Sequence, residues 1–159
     1  MDIRYFKEND TEQVVELFKE IVSNLVYYND LAKEHEIDRY SSKNLIEKIN
    51  EDPKSIIIAE CDKKIVGVCF NRFDDYTIWL EWILVKTTHR QQKIGTSLIK
   101  FLEYASLERK CHKVWCDCRT SNMISKNFLQ SIGFKIITTV ENHWYQQDFV
   151  LLQKFIKHL

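Results

Sequence analysis

The stretch His89 to Leu98, HRQQKIGTSL, sets one glycine among basic and hydroxyl-bearing residues, just after the apolar run IWLEWILV that ends at Val85. A loop that leaves a strand and enters a helix presents N–H groups with no intrahelical partner, and the helix dipole adds partial positive charge there. Such a terminus is a ready phosphate site. The amides of Gln91, Gln92, Lys93, Ile94, Gly95 and Thr96 are therefore candidates to cradle a pyrophosphate, with Arg90 and Lys93 adding charge and Gly95 allowing close approach of backbone to ligand. The stretch is neither GxxxxGK(S/T) nor a three-glycine dinucleotide fingerprint. A solvated basic turn before an amphipathic helix accounts for the same ten residues.

A second group, Cys111, His112, Cys116 and Cys118, holds residue types that ligate zinc. Strand alternation, however, sends Cys116 and Cys118 to one face, where core thiols are the simpler reading and no metal is expected. Asp117 faces the other way, toward solvent or toward whatever lies beside the strand. Five cysteines form an odd set and do not read as a disulfide framework.

Positioning these groups takes a filled core, and 159 residues suffice for one, so residues 1–159 read as a single domain. There are three glycines and one proline, and no linker or repeat breaks the chain. Lys plus Arg balances Asp plus Glu at 23 each, which gives the chain as a whole no reason to seek nucleic acid or an anionic membrane. The amino terminus, MDIRYFKEND, is too charged for a signal peptide, and no apolar run is long enough to span a bilayer. The cytoplasm is the default expectation.

Ile3 to Phe6 reads as a strand, and Asp10 or Thr11 caps a helix with Val14, Leu17, Phe18, Ile21, Val22 and Leu25 on one face. An irregular segment, VYYNDLAKEHEIDRYSS, follows. A second helix starts at Ser41 or Ser42 and ends near Pro53. Ser55 to Cys61 and Ile65 to Phe73 form a hairpin about Asp62-Lys63-Lys64, and Thr77 to Val85 is a third consecutive strand. A helix beginning near Gly95, a strand Val114 to Cys118, a helix Asn122 to Ile132 stopped by Gly133, and strands Lys135 to Val140 and about Asp148 to Ile156 complete the chain. The class is α/β with mixed α+β order: one mixed, mostly antiparallel sheet of about 6–7 strands flanked by about 4 helices.

VKTTHRQQKIGTSLIKFLE resembles the acetyl-coenzyme A signature of the GNAT acetyltransferase superfamily, a strand ending in Val followed by (R/Q)xxGx(G/A) and a helix. Arg90 matches the first motif position and Gly95 the last. Lys93 stands where the first glycine usually is, which the motif tolerates if that residue keeps a negative φ. A second block, Asn122 to Phe134, is similar to NxxAxxFYxxxGF, and NHWYQQDFVLLQK looks like the closing hairpin of many members.

The resemblance implies an N-acetyltransferase that binds acetyl-CoA as co-substrate where the strands Thr77 to Val85 and Val114 to Cys118 splay apart. The backbone of Ile83, Leu84 and Val85 would pair with the pantetheine arm, and the pyrophosphate maps onto Gln91 through Thr96. From the second block, Asn122, Ser125 and Phe128 map to the cofactor. An attacking primary amine, with a reference pKa of ~10.4, must first lose a proton. Glu81, interrupting WLEWILV, is the first choice of base, and alternation groups it with Trp79 and Ile83. Many members carry Tyr after the Phe of FYxxxGF to protonate the leaving thiolate. Leu129 stands there instead, so Tyr145 or His143 is expected to substitute unless water suffices.

The acceptor implied is an amine of a small molecule or of a peptide or protein, with Tyr27, Tyr28, His35 and Tyr40 near its pocket. A non-catalytic acyl-CoA-binding regulatory module stays open as the alternative. Dimers are common in the family, and no residue here fixes the state.

Overall fold

A computed structural model describes residues 1–156. Seven strands form one sheet: β1 (Asp2–Tyr5), β2 (Ile56–Cys61), β3 (Lys64–Asp74), β4 (Thr77–Val85), β5 (Lys113–Arg119), β6 (Lys135–Val140) and β7 (Phe149–Phe155). Their order across the sheet is β1-β2-β3-β4-β5-β7-β6, and every neighbouring pair is antiparallel except β4 and β5. Five α-helices accompany them: α1 (Thr11–Ser23), α2 (Asp30–Arg39), α3 (Ser42–Glu51), α4 (Ile94–Glu108) and α5 (Met123–Ser131). Both β4 and β6 have the bounds expected from alternation and turn residues.

The sheet carries a core on each face. On one, Leu98, Ile99 and Leu102 of α4 pack on Ile57, Val66, Cys69, Ile78 and Leu80. On the other, Val14, Phe18 and Val22 of α1 pack on Ile56, Ile58, Val68, Phe70 and Leu84. Strands β2 and β3 are therefore apolar on both sides, as a central strand covered by helices must be. Removal of each large side chain here from water is worth about 2–3 kcal/mol. Cys111, Cys116 and Cys118 lie in the α4-side core, where burial raises their thiol pKa values and keeps them protonated.

Helix α2 departs from the expected irregular segment and raises the helix count to five. Asn29 caps it by accepting from the Ala32 amide at 2.9 Å. It buries Ala32 and Glu36 rather than an apolar stripe, so its sequence shows no helical hydrophobic period.

A bulge makes the second departure. Phe70 pairs with Trp82 and Asn71 with Leu80, leaving Glu81 without a partner on β3. Past that extra residue the alternation inverts. Ile83 and Val85 pack against the α4-side core, whereas Trp82 and Leu84 join the α1-side core. Glu81 is thereby separated from Ile83, with which simple alternation had grouped it.

Candidate active site

The parallel pairing of β4 and β5 lasts three residues, Thr77 to Trp79 against Lys113 to Trp115. At its end Trp79 and Trp115 meet edge to face, with centroids 4.7 Å apart, and Trp115 Nε1 donates to Thr77 Oγ1 at 3.1 Å. Beyond this pair the strands part, and their facing edges have no ladder between them. Backbone groups freed in this way need another partner.

A cavity of about 1000 Å³ fills the opening. Its walls include Leu80 to Val85 of β4, Cys116 to Arg119 of β5, the α4 entry loop, Asn122, Ser125 and Phe128 of α5, and Tyr27 and Tyr28 from the α1–α2 loop. Of the sequence candidates for a cofactor site, Ile83, Leu84, Val85, Arg90, Gln91, Lys93, Ile94, Gly95, Thr96, Asn122, Ser125 and Phe128 line it. Gln92 lies in the same loop, exposed.

The α4 entry has the features of an anion site. Helix α4 begins at Ile94, and Lys93 at its N-cap makes no side-chain cap, so the first-turn amides of Ile94, Gly95 and Thr96 have no intrahelical acceptor. Arg90 Nε donates to the Val85 carbonyl at 3.3 Å, anchoring the loop to the end of β4. Lys93 takes φ +62°, as does Gln91, so the negative φ expected of it is not adopted. The left-handed turn required by the motif glycine is made here at the strain of a side chain, about 1–2 kcal/mol. Gly95 is needed for packing: a Cβ there would stand 3.0 Å from Cζ of Phe128. The glycine thus lets α4 and α5 close on each other at the cavity rim. Asn122 caps α5, accepting from the Ser125 amide at 3.1 Å and donating to Ser125 Oγ at 2.8 Å.

Across the cavity lie polar side chains from several elements. Glu81 Oε2 is 2.9 Å from Lys48 Nζ of α3 and accepts from Tyr40 Oη at 3.2 Å. Its side chain is 8% exposed and that of Lys48 18%, so this carboxylate has a buried counter-charge. Asp117, on β5, makes no hydrogen bond or ion pair among the described residues. Burial raises its pKa to about 7, against the pull of Arg119 and with added repulsion from Glu36. A carboxyl poised near neutrality at a cavity wall marks a candidate proton acceptor. Sequence reading reached only its facing; its weight comes from the parting of β4 and β5 around it.

Arg119, 3% exposed, stacks on Tyr28 with its guanidinium carbon 3.2 Å from the ring centroid, and Nε donates to Gln147 Oε1. Its Nη2 is buried without a partner. Glu36 of α2 accepts from Trp82 Nε1 at 3.1 Å and from Tyr145 Oη at 3.0 Å, tying α2 to β4 and to the β6–β7 loop. His35 Nδ1 is 2.7 Å from the same Tyr145 oxygen.

The two expected proton donors from the closing hairpin are placed elsewhere. Tyr145 is committed to Glu36 and His35, and burial beside Glu36 pushes its pKa up to about 12. His143 is exposed and stacked on Trp144 at 4.6 Å. Neither belongs to the cavity wall. Leu129, buried at 3%, does. Among the described residues no group of three or more His, Cys, Asp or Glu side chains is arranged to hold a metal ion.

Comparison with known proteins adds four findings. The model of the Acetyltransferase (GNAT) family matches residues 15–134. An acetyltransferase of Yersinia pestis is 30% identical over 140 residues, covering 88% of this chain and 92% of that protein. N-alpha-acetyltransferase 30 of Dictyostelium discoideum is 27% identical over 90 residues, 54% of this chain and about half (49%) of the relative's length. In three dimensions, the PaiA N-acetyltransferase of Thermoplasma acidophilum, solved in complex with coenzyme A, aligns with a TM-score of 0.81 at 19% identity. That alignment covers 97% of this chain and 98% of the other.

Proposed function

The chain belongs to the GNAT acetyltransferase family, and we propose that it transfers an acetyl group from acetyl-CoA to a primary amine of a small molecule or peptide, both substrates being bound at once. One observation carries this reading. The only parallel strand pair among the described residues opens after three residues into a cavity that has uncapped helix amides at its rim and an unpaired carboxyl in its wall.

The residues present fit acetyl-CoA, which supplies an activated acetyl thioester. The amides of Ile94, Gly95 and Thr96 would hold its pyrophosphate, with Arg90 and Lys93 as counter-charges. The free edge of β4 at Ile83, Leu84 and Val85 would pair with the amide groups of its pantetheine arm, and Asn122, Ser125 and Phe128 would flank that arm. The backbone amide of Val85, on the edge of β4 turned away from β3, would stabilise negative charge developing on the acetyl oxygen.

Asp117 takes the proton from the acceptor ammonium. Desolvation, set against the pull of Arg119, leaves it basic enough at neutral pH to accept a proton and acidic enough to lose it again. Glu81 lines the same cavity, but its carboxylate is neutralised by Lys48 and engaged by Tyr40. We read it as the group that fixes α3 and Tyr40 against the bulge and so shapes the acceptor side. The aromatic side chains of Tyr27, Tyr28 and Trp82 supply an apolar wall in which such charges are strongly felt.

A thiol-release assay with acetyl-CoA and a panel of polyamines, amino acids and peptide amino termini tests this function. Release of free thiol that depends on one amine class is the expected result. Tight cofactor binding with no acceptor-dependent release would instead leave the chain a non-catalytic acyl-CoA-binding module.

A further inference from the structure

We propose that Tyr27, from the α1–α2 loop, donates the proton that the departing coenzyme A sulfur takes up. The proposal rests on the acetyltransferase reading above. Where α5 would offer a tyrosine, Leu129 presents only methyl groups to the cavity. A hydroxyl must come from another element if the sulfur is to be protonated by the protein.

Few hydroxyls on the cavity wall are free for this. Ser125 Oγ is drawn into the N-cap of α5 by the Asn122 amide. Tyr28 lies flat against the Arg119 guanidinium. Thr87 and Thr96 belong to the loop and helix end at the pyrophosphate side. Tyr27 lines the cavity together with Arg90, Cys118, Arg119 and Asn122, and its hydroxyl feels Arg90, Arg119 and the Asn122 side chain. It therefore stands between the α4 entry and the end of β5, where the strands have parted. Its backbone is held as well, since Gln147 Nε2 donates to the Tyr27 carbonyl at 3.2 Å and its ring packs on Tyr28 at 5.7 Å. Burial raises its pKa above the ordinary phenol value, so it carries a proton at neutral pH, and the two arginines favour the phenolate once the proton has left.

The amine nitrogen bonds to the acetyl carbon, the C–S bond breaks with its electron pair leaving on sulfur, and the sulfur takes the proton from Tyr27 Oη. The attacking nitrogen sheds its second proton to water, a proton from water restores the Tyr27 phenol, and Asp117 releases the proton it took from the ammonium, so one proton is set free per transfer.

Tyr27→Phe keeps the ring and removes the proton. Its expected effect is a fall in kcat of at least about 10-fold with little change in the KM for acetyl-CoA. Leu129→Tyr in that background is expected to recover most of the lost rate, because it restores a phenol from α5. A binding readout separates this role from the acetyl-transfer reading itself. In the ultraviolet difference spectrum of bound coenzyme A, the thiolate band should appear at a different pH in Tyr27→Phe than in the parent protein. Loss of rate without rescue, and with an unshifted thiolate titration, would make Tyr27 merely structural and overturn the proposal, as would an unchanged kcat. Binding of coenzyme A with an altered thiolate titration, but no acetyl transfer by the parent chain, would reject the enzyme reading while retaining the Tyr27–sulfur contact.

Discussion

The two strands that bound the cavity treat their carboxylates in opposite ways. On β4, Glu81 sits in a bulge and is met by Lys48 and by the Tyr40 hydroxyl. On β5, Asp117 is half-buried without a partner, and desolvation lifts its pKa to about 7. A carboxylate met by a cation and a hydroxyl is held in place, whereas one without a partner in a desolvated setting readily takes up a proton. On the proposed function, chemistry falls to β5 and positioning to β4.

The sharpest way to break that comparison is Asp117→Asn. Turnover should drop by about 100-fold or more, with the KM for acetyl-CoA little changed. The same variant should be more stable than the parent. The folded-state pKa of Asp117 lies above its unfolded value of ~3.9, so the native chain holds the extra proton between those values. Its stabilising contribution is present below ~3.9 and is lost as pH rises toward 7. Urea unfolding at pH 5 and pH 8 should show the advantage of Asp117→Asn growing with pH, and a variant less stable than the parent at pH 8 would contradict the assignment.

Next in size, Gly95→Ala tests whether the rim is separate from both carboxylates. With a Cβ 3.0 Å from the Phe128 ring, α4 or Phe128 must shift, and the KM for acetyl-CoA is expected to rise about 10-fold. The pH dependence of kcat should stay as in the parent. A moved pH profile would mean that the rim and the acceptor side are coupled.

Glu81→Gln comes third. It leaves Lys48 without its counter-charge in a largely buried setting, so stability should fall by about 2–3 kcal/mol. Turnover of the folded variant should fall only about 3-fold. A larger loss than that of Asp117→Asn would exchange the two roles.

Lys93→Gly is the smallest effect. Glycine adopts φ +62° without the side-chain strain, and the gain should be about 1 kcal/mol in thermal unfolding, offset in cofactor affinity by one lost positive charge.

How much of this was legible in the sequence follows the same division. The cofactor side is built from backbone: a strand end, a helix start, a glycine and two basic residues within ten positions. Such local patterns survive in one dimension, so HRQQKIGTSL and Asn122 to Phe134 could be picked out as stretches that meet at one cavity. The acceptor side is made by side chains from α2, α3, β4, β5 and the β6–β7 loop, and spacing along the chain carries no trace of that convergence. Helix α2 was missed because Asn29 and a buried Glu36 hold it in place of an apolar stripe. Glu81 was grouped with Ile83 because a single-residue bulge has no period-two signature. The positive φ of Lys93 is a tertiary override of residue preference, forced by the turn into α4.

The central claim, that the unpaired carboxyl of β5 is the proton acceptor, is tested most directly by the pH dependence of kcat for the parent, Glu81→Gln and Asp117→Asn. The account predicts an acidic limb with an apparent pKa of about 7 in the parent and in Glu81→Gln, and its disappearance in Asp117→Asn. A limb that persists in Asp117→Asn and vanishes in Glu81→Gln would contradict it.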